Sequence, residues 1–123
     1  MTALYCRTAQ KNHEGIHVQK ALLLQYADEH GYENTIVYSD NGYNGLSLDR
    51  PGFIQMQSDI SAGKIKTILV KDMSRISRNT FMTLEWVKNM LGDVHLISVM
   101  DGYDSKASSP VFDTLKQYGV YLS

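Results

Sequence analysis

Short apolar runs alternate with longer amphipathic ones along the whole chain. "TALYCR" (residues 2–7) is brief, apolar and followed by a polar loop from Gln10 to Gly15, which predicts a buried strand. "HVQKALLLQYADEHG" then spaces Val18, Ala21, Leu22, Leu24, Tyr26 and Ala27 at three and four residues and ends at His30-Gly31, a helix with a glycine stop. "TIVYSD" (35–40) predicts a second strand, and the loop "NGYNGLSLDRPG" carries Gly42, Gly45 and Pro51. Pro51 sits where a first-turn proline opens a helix through "GFIQMQSDISAG", which Gly63 closes. "KTILVKD" is a third strand, too continuously apolar to be buried on one face only. "TFMTLEWVKNML" (80–91) is a third helix with Asn79 or Thr80 as cap and Gly92 as stop. "VHLISVM" is a fourth strand, and "SSPVFDTLKQYG", with Pro110 near its start, predicts a short terminal helix.

Strands alternating with helices predict an α/β fold: three layers, with a mostly parallel central sheet flanked by helices, because parallel neighbours need right-handed crossovers. Reactive groups in such folds gather at the carboxyl ends of the strands, which places the loops after Arg7, Asp40 and Lys71 on one rim. The 123 residues, 43% of them hydrophobic, suit one domain spanning 1–123. No repeat, low-complexity tract or linker interrupts it. No run of about 18 apolar residues and no secretory leader is present, so the expectation is a cytoplasmic protein without a membrane partner.

Composition narrows the chemistry. The single cysteine, Cys6, falls inside an apolar strand and reads as a small core residue. His13, His17, His30 and His95 lack ligand spacing, and no phosphate-binding glycine loop or metal-spaced carboxylate pair occurs, so no cofactor or metal is expected. The net charge of −1 is unusual for an autonomous nucleic-acid binder. The dense cationic stretch is "KIKTILVKDMSRISR", Lys64 to Arg78.

The rim loops bring Arg7, Arg50, Arg75 and Arg78 to one edge, where their mutual repulsion calls for an anion. Arg75 and Arg78 share a face if their segment is helical. A single arginine is more often a solvated or ion-paired surface residue. Four at strand ends favour an oxyanion ligand such as phosphate, which guanidinium forks bind bidentately.

These stretches, "LYCRTA", "VQKALLLQYADEHGY", "YSDNGYNGLSLDRPGFIQM" and "GKIKTILVKDMSRISRN", resemble in order the catalytic domain of the serine recombinases, the resolvase and invertase family with its large transposon-borne members. The resemblance implies a resolvase-like fold and site-specific DNA recombination. Members cleave a DNA strand by attack of a serine hydroxyl on a backbone phosphate, forming a 5′-phosphoserine link, and exchange strands by subunit rotation in a tetramer without metal or nucleotide. It also implies catalytic positions at Arg7, Gln19, Arg50, Arg75 and Arg78, the four arginines holding DNA phosphate, and a dimer or tetramer as the working oligomer.

Two departures follow. The family pattern is arginine, any residue, serine, whereas this chain reads Arg7, Thr8, Ala9, and a methyl group cannot attack phosphorus. Thr8 alternates to the opposite face of the strand, and Ser74 and Ser77 near the arginines need not be nucleophiles. The long helix and separate DNA-binding domain of the family do not appear before Ser123, so DNA binding by this chain alone is expected to be weak. One alternative is a non-catalytic regulatory or phosphate- and DNA-binding module with the same fold. Another is a receiver-type signalling domain, weakened because the positions after the first strand are Arg7, Thr8 and Ala9 rather than acidic.

Overall fold

The computed structural model describes residues 1–90 and 92–106; the terminal helix expected over 108–119 lies outside them. The chain runs β1 (Thr2–Thr8), α1 (His13–Glu29), β2 (Thr35–Asn41), α2 (Pro51–Ser61), β3 (Thr67–Val70), a one-turn 3-10 helix (Met73–Arg75), α3 (Thr80–Met90), β4 (His95–Ser98) and β5 (Tyr103–Asp104). The sheet order is β2-β1-β3-β4-β5. All neighbours are parallel except β4 and β5. The expected parallel α/β sheet is therefore present, with one antiparallel edge strand that the apolar pattern does not announce, because two residues carry no period.

Alternation along β1 sorts its side chains between two cores. Leu4 and Cys6 face α1 and pack with Leu23, Ala27, Leu69 and Ile97. Ala3 and Tyr5 face the other way, into a larger cluster with Phe53, Met56 and Ile60 of α2, Trp86 of α3, and Ile68, Val70 and Leu96. Two helical layers thus enclose the sheet, and β3 is buried along its whole length.

The helix punctuation follows the sequence closely. Pro51 occupies the first turn of α2. Gly31 and Gly63 take the left-handed conformation just past α1 and α2 (φ 74° and 76°), which other residues adopt only with strain. Of the two candidate caps for α3, Asn79 holds the position, its Oδ1 accepting from the Met82 amide at 3.2 Å. The start of α1 differs: the helix begins at His13, inside the expected loop. The reason is Asn12, whose Oδ1 accepts from the Gly15 amide at 2.8 Å. Gly15 looks like a loop residue in sequence, yet a β-carbon there would lie 3.1 Å from Thr8 Cγ2, so its bareness lets α1 start against the end of β1.

Cys6 is fully buried, and that burial pushes its thiol up to about 11. Loss of thiolate alone slows labelling at pH 8, so a thiol reagent should modify Cys6 at least about a hundredfold more slowly in the native protein than in urea. Mass spectrometry of timed aliquots reads this directly; fast native labelling would show that the α1 layer opens.

Candidate functional site at the carboxyl rim

The site begins where β1 outruns its neighbour. Pairing with β3 ends at Tyr5 and Val70, so the backbone of Arg7 has no strand partner on that side. Gln19 of α1 replaces it. Its Oε1 accepts from the Arg7 amide at 3.0 Å and its Nε2 donates to the Arg7 carbonyl at 2.9 Å. The Gln19 side chain is buried and acts as one rung of a ladder, fixing the strand end from which residues 8 and 9 emerge.

On the opposite side, β1 pairs with β2 through Arg7 and Asp40. Asp40 is buried and turns its carboxylate to the start of α2, accepting from the amides of Gly52 (2.7 Å) and Phe53 (2.9 Å). It caps a helix whose own cap residue, Arg50, makes no such bond. Gly52 makes the approach possible, since a β-carbon there would meet the Ser39 carbonyl at 2.6 Å. The Tyr5 hydroxyl donates to Asp40 Oδ2 at 2.6 Å and accepts from Arg50 Nη1 at 2.7 Å. Burial first, then the bond to Asp40, raises the Tyr5 phenol far above its ordinary range and keeps its proton in place.

Arg50 and Arg7 are both 2% exposed, and carbonyl oxygens take their charge. Arg50 donates to the carbonyls of Ser47 (2.8 Å), Arg75 (3.0 Å) and Ile76, and lies over the Phe53 ring. Arg7 donates to the carbonyls of Tyr43 (2.9 Å), Ser74 (2.6 Å) and Arg75 (3.1 Å). Burial, followed by nearby Arg50, lowers the Arg7 guanidinium below its usual range. These two arginines therefore lace the 42–50 loop to the 73–78 loop. The backbone completes the seam: Gly45 accepts from the Arg78 amide at 2.8 Å and from Ser77 Oγ at 3.0 Å. A β-carbon on Gly45 would lie 2.8 Å from Arg7 Nη2.

Arg75 and Arg78 are placed differently. Arg75 Nη1 donates to the Arg7 carbonyl at 2.9 Å, and Nη2 pairs with Asp72 at 3.3 Å. Its Nε is buried with no partner among the described residues. Arg78 has an exposed side chain anchored by its backbone alone. Arg75 and Lys71 line an open cleft of about 350 Å³ together with Thr8, Asn12, Glu14, Gly15, Val18 and Gln19. Ala9 follows Thr8 and is exposed. The neighbouring hydroxyls are occupied: Thr8 donates to Asn41 Oδ1 at 2.8 Å, Ser77 to Gly45, and Ser74 to Asp72.

Of the sequence-assigned positions, Arg7, Gln19, Arg50 and Arg75 thus touch one another directly, Arg78 borders them, and Ala9 stands free at the strand end. Tyr5 was not assigned to the site by the sequence, and Asp40, Gly45 and Lys71 were read only as strand ends or loop residues. Tyr5 shares the face of Arg7 by alternation, and Asp40 lies next to the end of the neighbouring strand, so strand position was the available signal for both. Among the described residues no helix is long and apolar enough to cross a membrane, and no group of three His, Cys, Asp or Glu could hold a metal ion.

A family model described as "Resolvase, N terminal domain" matches residues 2–117. The N-terminal catalytic domain of TP901-1 integrase superposes with a TM-score of 0.86 at 27% identity, covering 95% of this chain and 91% of that one. A resolvase family site-specific recombinase from Streptococcus pneumoniae gives 0.75 at 26% identity, covering 96% and 84%. The C-terminal catalytic domain of ISC1926 TnpA, an IS607-like serine recombinase, shares the fold at 17% identity, with a TM-score of 0.71 and coverage of 95% and 76%. No curated protein matches the chain.

The Asp40 network makes a quantitative demand. Asp40→Ala strands two helix amides and leaves the buried Tyr5 hydroxyl without its acceptor, and should lower stability by about 3 kcal/mol. Tyr5→Phe removes one link and should lose only about 1 kcal/mol. Urea unfolding of the two variants tests the ranking; equal losses would show that Asp40 serves only through the tyrosine.

Proposed function

The chain belongs to the resolvase N-terminal domain family, and from that premise we propose that it is a serine recombinase catalytic domain that engages DNA backbone phosphate without forming the covalent link. The observation that carries this reading is the state of residue 9. Gln19 and Arg75 grip the Arg7 backbone, so the strand end is held, yet the exposed residue that follows is Ala9, with no hydroxyl. Thr8 does not replace it, because its hydroxyl is buried and committed to Asn41. A phosphate at the rim meets the partly exposed Lys71 and Arg75 of the cleft, with exposed Arg78 bordering it, while Arg7 and Arg50 hold the loops that present them. Arg7 and Arg50 act on the phosphate, in this reading, chiefly by positioning. The partners are DNA and further recombinase-type subunits in a dimer or tetramer.

Phosphate titration followed by NMR should shift Arg75 and Arg78 side-chain resonances most; no shift at saturating phosphate would end the oxyanion reading. DNA binding should be weak, sequence-independent and steeply weakened by salt. The covalent step is tested by restoring the hydroxyl. Ala9→Ser, grafted onto the long helix and DNA-binding domain of an active relative, should yield a protein–DNA adduct on a nicked suicide substrate, and the same graft with Ala9 should yield none. Loss of an electrostatic stabiliser typically slows such chemistry about a hundred- to a thousand-fold, so Arg75→Ala in the Ala9→Ser graft should cut adduct formation by that order. An adduct formed with Ala9 in place would overturn the reading.

A further inference from the structure

We propose that Asn44-Gly45 is a self-modification site: the folded chain deamidates there, and the isoaspartate that results slackens the seam between the 42–50 and 73–78 loops. The same stretch of chain holds two Asn-Gly steps, Asn41-Gly42 and Asn44-Gly45. Their surroundings set them apart.

The chemistry open to both is the same. The glycine amide nitrogen loses its proton to water or hydroxide and attacks the asparagine Cγ. A bond from nitrogen to Cγ forms, the bond from Cγ to Nδ2 breaks, and ammonia departs. Water then opens the cyclic imide at either carbonyl, giving aspartate or, chiefly, isoaspartate. The reaction needs a free glycine amide, a polarised Cγ carbonyl and a backbone able to bring them together.

At the first step the nucleophile is held. The Gly42 amide donates to the Thr8 carbonyl at 3.0 Å and to Thr8 Oγ1 at 3.3 Å. Asn41 is the last residue of β2, in register with Thr8, and its Oδ1 accepts from Thr8 Oγ1 at 2.8 Å and from the Asn12 amide at 2.7 Å. Ring closure there must first open the strand end.

At the second step the nucleophile is free. Asn44 is exposed and lies outside helix and strand, and the Gly45 amide has no acceptor among the described residues. The Leu46 amide donates at 2.9 Å to Asn44 Oδ1, the oxygen on which negative charge gathers during attack. A β-carbon on Gly45 would lie 2.8 Å from Arg7 Nη2 and 2.5 Å from Arg78 Cγ. These nearby cations favour both the deprotonated amide and the carboxylate product. Close packing of the seam therefore requires glycine at position 45, and glycine is the residue that leaves an attacking nitrogen unshielded. Residue 44 also lies between two anchors of the loop. The Tyr43 carbonyl accepts from Arg7 Nη1 at 2.9 Å, and the Gly45 carbonyl accepts from the Arg78 amide and Ser77 Oγ. Isoaspartate adds a main-chain carbon between these anchors and changes their spacing.

The full chain is aged at mildly alkaline pH, native and in guanidinium chloride, and mapped at intervals by peptide mass spectrometry with fragmentation that separates isoaspartate from aspartate. In denaturant the two steps should convert at rates within about threefold of each other, because no fold distinguishes them. In the native protein Asn44 should convert at least about tenfold faster than Asn41, which waits on local opening. Hydrogen exchange of the Arg78 amide, whose acceptor is Gly45, should be at least about tenfold faster in the converted protein. Asn44→Ser keeps a side-chain oxygen for the Leu46 amide but has no carbonyl to attack, so the aged variant should retain slow exchange at Arg78. Equal native rates at the two steps would overturn the proposal, as would an Asn44 that stays intact in the native protein while the denatured sample converts. Conversion that leaves Arg78 exchange unchanged, or faster exchange in the aged Asn44→Ser variant, would overturn it too.

Discussion

The rim is organised by one buried carboxylate. Asp40 lies one residue before the end of β2, and its two oxygens meet the first amides of α2, the Tyr5 hydroxyl and, through that hydroxyl, Arg50. A strand end, a helix start and a cation are thereby tied at one point. Without it α2 would begin with orphan donors, and Arg50 would be a buried charge answered only by neutral oxygens, those of the Tyr5 hydroxyl and the loop carbonyls. The position of Arg50 then sets the loop before α2, because its guanidinium reaches Ser47 on one side and Arg75 and Ile76 on the other.

This arrangement changes what a cluster of arginines means. Four guanidinium groups on one edge suggest an anion to balance them, yet Arg7 and Arg50 direct their donors to six carbonyl contacts within the protein. Carbonyl oxygens carry partial charge at short range in a poorly hydrated site, where each contact is stronger than in water. The two buried arginines are thus braces between loops, and Arg75 joins them through its bond to the Arg7 carbonyl, while Lys71 and Arg78 keep charge at the surface. Identical residue types thus divide into bracing and exposed groups according to what each guanidinium meets.

The fold was legible where punctuation was chemical. Pro51, Gly31, Gly63 and Asn79 mark helix ends because missing amides, left-handed backbone and side-chain caps each need a particular residue. The start of α1 was misplaced because Gly15 reads as a loop residue, when it is instead the space that lets Asn12 and Thr8 crowd the first turn. Within the site, Arg7, Gln19, Arg50, Arg75 and Arg78 were legible through a resemblance in order and spacing. Tyr5 and Asp40 were not, since a tyrosine in an apolar strand looks like core and an aspartate before Asn41-Gly42 looks like turn chemistry. Their roles depend on register between strands distant in sequence, which periodicity within one strand does not contain.

The same geometry explains how the site can keep its form around Ala9. The bonds that shape the rim are made by the backbone of residue 7, by side chains of residues 5, 7, 19, 40, 50, 75 and 77, by the amides of residues 52, 53 and 78, and by loop carbonyls. Residue 9 contributes none of them and is exposed. A serine hydroxyl there would be an addition to a finished scaffold, so the identity of residue 9 leaves the braces untouched. The architecture of the rim is therefore independent of residue 9, because the groups that assemble it are bonded to one another while residue 9 is carried, exposed, on a strand end held from behind.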